Sequence, residues 1–240
     1  MLFRSVTDCV AEYCGDSGIS ASTATGCHAA VYSGPGPGIF AMTATSCSVL
    51  VYSGDGDGIQ ARVAADCHGI VYRNGTGVSA EKTATNCSGE SSSGTGLYAA
   101  TATGCSGESS TGIGLQAEVA TGCKGTTATG PYGLLVESGG TAENCRGLVT
   151  DPTATGTGLS ADTATNCSGS SWSGIGLKAA MASNCSAQTV TGDVALVVAG
   201  SATNCRGTNN RLGGKAITAA IAVSCTSAGG PIEAANKYNM

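Results

Sequence analysis

Leu97-Tyr98-Ala99-Ala100-Thr101-Ala102-Thr103-Gly104-Cys105 is the plainest copy of a block that recurs along the whole chain. Its cysteine belongs to a series, Cys9, Cys27, Cys47, Cys67, Cys87, Cys105, Cys123, Cys145, Cys167, Cys185, Cys205 and Cys225, with spacings of only 18, 20 or 22 residues. A fixed period in this range marks a solenoid, one supersecondary unit stacked on copies of itself because it cannot bury its apolar face alone. Within the block an apolar residue stands eight before Cys and an alanine three before it. Ile19/Ala24, Ile39/Ala44, Ile59/Ala64, Leu115/Ala120, Leu159/Ala164, Leu177/Ala182 and Ile217/Ala222 repeat the pair.

Strict alternation would place Leu97, Ala99, Thr101, Thr103 and Cys105 on one face, burying two hydroxyls and exposing Ala102. The block reads better with two breaks of phase: a short strand Leu-x-Ala, a second Thr-Ala-Thr with Ala inward, and a third starting at an inward Cys. The second break falls on the residue before Cys, which is Gly26, Asn86, Gly104, Gly122, Asn144, Asn166, Asn184 or Asn204, with Ser46, Asp66 and Ser224 as weaker copies. Gly and Asn tolerate a left-handed backbone, so a sharp single-residue bend is expected there. After Cys come x-Gly-x-Ser and a glycine-rich turn. The expected fold is all-β, a right-handed parallel β-helix of 11 to 12 coils with three short strands per coil, a rod about 55 Å long. A left-handed β-helix of hexapeptides is the rival, but coils of 20 and 22 residues do not fit a hexad phase.

Composition excludes several classes. The chain is 41% hydrophobic and 11% charged, against disorder, and its 38 glycines have no three-residue period, against collagen. A net charge of −5 with scattered Lys and Arg offers no basic stripe for nucleic acid. No stretch approaches the ~18 apolar residues of a membrane-spanning helix. Met1-Leu2-Phe3-Arg4-Ser5 resembles a translated adapter oligonucleotide, and the repeat is already running at Val6. Residues 1–5 are therefore expected to be a non-native leader, and residues 6–240 one β-helix domain, the C-terminal fragment of a longer protein.

The repeat Thr-Ala-Thr-Asn-Cys-Ser-Gly-x-Ser-x-Ser-Gly-x-Gly-Leu-x-Ala resembles a family of repetitive bacterial proteins with right-handed parallel β-helix repeats. The ending Ala234-Ala235-Asn236-Lys237-Tyr238-Asn239-Met240 is similar to that family's C-terminus. The resemblance covers residues 6–240 and implies architecture and export to the cell surface or beyond. It transfers no catalytic residue. A more distant likeness to the pectate-lyase fold is no warrant for chemistry.

Thirteen cysteines invite a disulfide or metal reading. A row of one inward Cys per rung keeps parallel Cβ atoms near the ~4.8 Å rung spacing, wider than a disulfide accepts. A straight row also cannot close a zinc tetrahedron. A ladder of reduced, buried thiols is expected. Cys14, five after Cys9, aligns with Tyr32, Tyr52 and Tyr72 and is expected to face outward.

For function, the segment after Cys varies most in length, and variable loops mark the working face of repeat proteins. Alternation from Cys sends outward His28, Ala30 and Tyr32; Ser48, Leu50 and Tyr52; and His68, Ile70 and Tyr72. The candidate ligand-binding residues are His28, Tyr32, Leu50, Tyr52, His68 and Tyr72, a patch suited to a surface glycan or another protein, or to tyrosines stacked on one another. Trp172 shares the row as a lone turn cover. A second candidate is the threonine row Thr23, Thr25, Thr43, Thr45, Thr83, Thr85, Thr101, Thr103, Thr163 and Thr165, a flat rank of the kind that binds ice, broken at Val63/Ala65, Glu143 and Met181/Ser183. Catalysis is the weakest reading. Glycan hydrolysis needs two carboxylates across one bond at ~5–9.5 Å, and only Asp55 and Asp57 are close, in a glycine turn that offers at most a weak calcium site. The expected function is a non-catalytic exported scaffold without cofactor. Ice binding and a degenerate polysaccharide lyase or hydrolase are the alternatives, and end-to-end self-association through exposed rungs is a further expectation.

Overall fold

The computed structural model describes residues 3–239, an all-β solenoid of parallel strands. Met1, Leu2 and Met240 lie outside the described residues, and Phe3 to Ser5 form part of the first strand. Two sheets run the length of the rod, one of thirteen strands and one of twelve, each strand pairing with the equivalent strand of the next coil. The first sheet holds the Leu-x-Ala and Thr-Ala-Thr segments, as in Leu97–Thr103, and the second the four residues after Cys, as in Ser106–Ser109. The first two expected segments therefore run together as one hydrogen-bonded strand, with the break of phase inside it.

The burial pattern shows that break. In Ile19–Thr25, Ile19, Ala21 and Ala24 are buried while Ser22 and Thr23 are not. Stacking repeats each choice into a column: Ile/Leu, Ala, a second Ala, then Cys. The interior is narrow because the second sheet runs close over the turns. At Gly107, a Cβ would come within 2.2 Å of the Gly114 carbonyl, so only glycine fits. The bend before Cys is left-handed throughout, with φ of 52° at Asn86, 54° at Asn144 and Asn166, and 62° at Gly26 and Gly104. Ser46, Asp66 and Ser224 follow at 50–52°, and so does Asp8.

One expectation about length is corrected. The long coil between Cys123 and Cys145 is expanded mainly before the next Cys. Three of its four residues beyond an 18-residue coil form an outward bulge in the strand Tyr132–Glu143, where Val136 pairs with Ala117 but Thr141 already pairs with Val119. The insert at Asp151 to Ala154 does lie after Cys, fixed by the Asp151 carboxylate accepting from the Thr153 N–H at 2.8 Å.

Candidate functional site

The outer face of the second sheet carries the tyrosine row. Val31, Val51 and Val71 pair in register and point inward, so Tyr32, Tyr52 and Tyr72, each one residue later, emerge on successive rungs. Their rings stack with centroids 4.6 Å (Tyr32–Tyr52) and 5.6 Å (Tyr52–Tyr72) apart. A fourth ring joins. Tyr13 lies 4.9 Å from Tyr32 and nearly parallel to it, at 7°. The strand Val10–Cys14 is bulged between Ala11 and Cys14, so Cys14 pairs with Val31 and Tyr13 takes the outward place with φ 58°. The outward position expected for Cys14 is thereby corrected: its side chain packs on the edge of the core.

The four rings remain 77, 41, 40 and 52% exposed in chain order. Packing in the stack and the neighbouring phenols of Tyr52 and Tyr13 push the Tyr32 phenol above its ordinary value. Beside the stack, Leu50 and Ile70 are half-buried and Ala30 is covered. His28, Ser48 and His68 form the next column. His28 Nδ1 shares a hydrogen bond with Ser48 Oγ at 2.8 Å, and His68 Nε2 lies 3.6 Å from the Glu90 carboxylate. The two histidines are separated by a full rung and do not converge.

The remaining sequence candidates are placed as follows. Asp55 and Asp57 serve the next coil: Asp55 accepts from Asn74 Nδ2 at 3.0 Å and Asp57 from the Thr76 N–H at 2.8 Å. Among the described residues no three His, Cys, Asp or Glu side chains converge as a metal would require. Trp172 is exposed, and its carbonyl binds the N–H groups of Val190 and Thr191. The threonines form two in-register columns, Thr23–Thr43 and Thr25–Thr45, then Thr83–Thr101 and Thr85–Thr103, then Thr163 beside Thr165. Register adds Ser5, Thr7, Thr121, Thr141, Ser201 and Thr203 to these columns, which the sequence count missed because their partners in the block are Val119, Glu143 or Ser.

Two clefts on the outer face of the first sheet were not anticipated. One, of about 440 Å3, is lined by Phe40, Met42, Gln60, Arg62, Ser79, Glu81 and Tyr98. The other, of about 580 Å3, brings together Glu137, Asp162 and Lys178 beside Gln116 and Leu135. Both of its carboxylates hold structural hydrogen bonds, Glu137 from Gln116 Nε2 at 2.8 Å and Asp162 from the Gly139 N–H. The sequence signal for both clefts is the variable residue after each inward Ile or Leu.

The interior thiols are all free, and only Cys9 and Cys14 are partly exposed. Each donates to the carbonyl two residues earlier, as Cys185 does to Ser183 at 3.3 Å, and several also reach the alanine carbonyl of the previous coil, as Cys185 does to Ala164 at 3.3 Å. No protein-family model matches the chain, and no curated protein or solved structure matches it.

Proposed function

We propose that the chain is a non-catalytic repeat scaffold of the bacterial right-handed β-helix kind, exported to the cell surface or beyond, which holds a partner on the outer face of its second sheet. The carrying observation is the tyrosine stack. Tyr13, Tyr32, Tyr52 and Tyr72 are exposed and stacked on four successive rungs, whereas the same row continues as Ser92, Ser110, Ala128 and Thr150 before a lone Trp172. A solenoid repeats its rows by default, so a continuous aromatic stack confined to four coils is a local specialisation.

The stack also bears on the partner. Sugar rings bind best on open aromatic faces, and here each inner face is covered by the next ring, leaving edges and hydroxyls. Edge-presenting tyrosines, preorganised by stacking and set beside Leu50 and Ile70, suit a protein surface, where tyrosine is a favoured anchor. A glycan is the less favoured ligand of this face.

The test replaces three of the four tyrosines by serine, the residue the row itself uses at Ser92 and Ser110. Wild type and a Tyr32→Ser/Tyr52→Ser/Tyr72→Ser variant are compared on arrays of purified surface and secreted proteins, with a glycan array in parallel. A ligand bound by wild type and lost in the variant supports the reading. No protein ligand, or proteins bound equally by both, overturns it; a glycan bound equally by both reports on a site elsewhere on the rod.

A second reading has its own observation. Hydroxyl side chains share two in-register columns on the first sheet, interrupted at Val63/Ala65, Val119, Glu143 and Met181, and between the breaks they are spaced by the rung and by the strand repeat, a two-dimensional array of the kind that orders water into ice. Thermal hysteresis or ice shaping, abolished by Thr85→Tyr with Thr103→Tyr, would support it. Its absence in wild type removes it.

A further inference from the structure

The cleft at Phe40 lies on a different sheet from the tyrosine stack and owes its shape to the break of phase. Phe40, Gln60, Ser79 and Tyr98 form one outward column on four consecutive rungs, since Phe40 pairs with Gln60, Gln60 with Ser79, and Ser79 with Tyr98. Met42, Arg62 and Glu81 form the opposite wall, and the backbone of Ala41 and Ala61 lies between the two walls. The register slips on both sides of the strand Val78–Thr85, so one extra residue is accommodated beside the cleft. Such bulges re-aim side chains at functional sites.

The chemistry of the two walls is specific. Phe40 is 44% and Met42 57% exposed, large apolar side chains that the fold does not need on its surface. Phe40 and Tyr98 stand three rungs apart, about 14 Å. Between them no aromatic neighbour covers either ring, unlike the stacked tyrosines of the other sheet. The intervening positions offer donors from Arg62 and Gln60 and acceptors from Gln60, Ser79 and Glu81. Mixed donors and acceptors match vicinal hydroxyls, which both give and accept hydrogen bonds. Arg62 and Glu81 carry opposite charges, so the charges lining the cleft sum to zero and it has no strong net field. A cleft with an apolar body and a few placed polar groups is the ordinary form of a small-ligand site.

We propose that this cleft binds a linear neutral oligosaccharide, with one sugar ring against Phe40, another against Tyr98, and the sugar hydroxyls between them held by Gln60, Arg62, Ser79 and Glu81. The length of the column fits a tri- to tetrasaccharide segment. In later coils the same column becomes Gln116, Leu135, Ser160 and Lys178, which lacks aromatic platforms, so the site is confined to this end of the rod.

The experiment is isothermal titration of the purified chain with neutral tetrasaccharides of β-1,4-, β-1,3- and α-1,4-linked hexoses. At least one is expected to bind, with affinity falling at least tenfold in Tyr98→Ala and in Phe40→Ser, and several-fold in Gln60→Ala. The Tyr32→Ser/Tyr52→Ser/Tyr72→Ser variant is expected to bind as wild type does. Circular dichroism of each variant separates loss of the site from loss of fold. Binding by none of the sugars overturns the proposal. So does binding that survives Tyr98→Ala and Phe40→Ser but is lost in the triple variant, which would move the sugar to the tyrosine stack.

Discussion

Ser109 donates its hydroxyl to the carbonyl of Gly94 in the previous coil at 2.7 Å, and the N–H of Gly112 donates to the same hydroxyl oxygen at 2.9 Å. One buried side chain thus ties a turn to itself and to the coil below. Ser91, Thr127, Ser171 and Thr189 repeat the arrangement. The equivalent position is Val31, Val51, Val71 or Val149 where the turn to the next Ile, Leu or Val tends to be longer. A tight turn leaves an N–H and a C=O to be paired, and a side chain that both donates and accepts satisfies the two, a hydroxyl in most coils and the Asn209 amide in one, where it donates to the Gly192 carbonyl and accepts from the Arg211 N–H.

Ser109→Val should therefore be costly even though valine is native at other coils. It leaves two half-buried backbone groups without their partner, a cost of about 1–3 kcal/mol for each where water does not replace it. Ser109→Thr should be near neutral, because Thr127 makes the same pair of bonds. Urea midpoints at unchanged m-value measure the difference.

Tyr52 stacks on two rings, whereas Tyr13 stacks on one. Each aromatic pair contributes about 0.5–1.5 kcal/mol beyond area burial. Tyr52→Ala should lower stability about twice as much as Tyr13→Ala, as read by thermal melting. Equal losses would mean that the rings do not stack in solution.

The thiol ladder should be silent to reagents and visible to pH. At neutral pH a thiol reagent should label Cys9 and Cys14 quickly and the buried cysteines only on unfolding. The hydrogen bond with Cys123, with burial behind it, pushes the Cys105 thiol up to about 11, against the lowering pull of Cys87. The unfolded thiol titrates near 8.5. Between those values the unfolded chain has lost the proton and the native one keeps it, so stability falls as pH rises from about 8.5 to about 11. Below that window this contribution is fully present. Cys105→Ala should make the fall shallower in denaturant midpoints recorded from pH 7 to 11.

Lys237 pairs in register with Ala222, in the column that alanine fills from Ala24 to Ala222. Pro231 at the start of the same strand also withholds one N–H from the edge. A second copy stacked on this coil would bury an ammonium without an acid partner, a cost of several kcal/mol. Edge strands are commonly blunted in this way. Lys237→Ala should raise concentration-dependent association in sedimentation velocity. If wild type already stacks end to end, or the variant does not associate more, Lys237 is no barrier.

Much of the fold was legible because a solenoid writes each interior column as a repeated residue. The period, the Ile/Leu, Ala and Cys columns and the left-handed bend before Cys follow from the blocks alone; Asn166 at φ 54° needs only its place before Cys167 to be foreseen. The tyrosine row was legible for the same reason. What escaped the reading are departures from the repeat. Tyr13 enters the stack only because a bulge shifts it past Cys14, and Glu137 lines one cleft with Asp162 where the long coil bulges outward in the first sheet. The Ser91–Ser109–Thr127 column was visible as the serine or threonine four after Cys, but its partners, glycine carbonyls fifteen or sixteen residues earlier, were not.

The sequence by itself determined the winding, the inward columns and the small side chains they require, since stacking identical rungs at one fixed spacing leaves no other way to bury Ile, Ala and Cys together. Only the tertiary structure decided which outward residues become neighbours. Lateral register and bulges shift a side chain by a whole position, and that choice sets Phe40 in line with Tyr98 and covers the faces of Tyr32 and Tyr52.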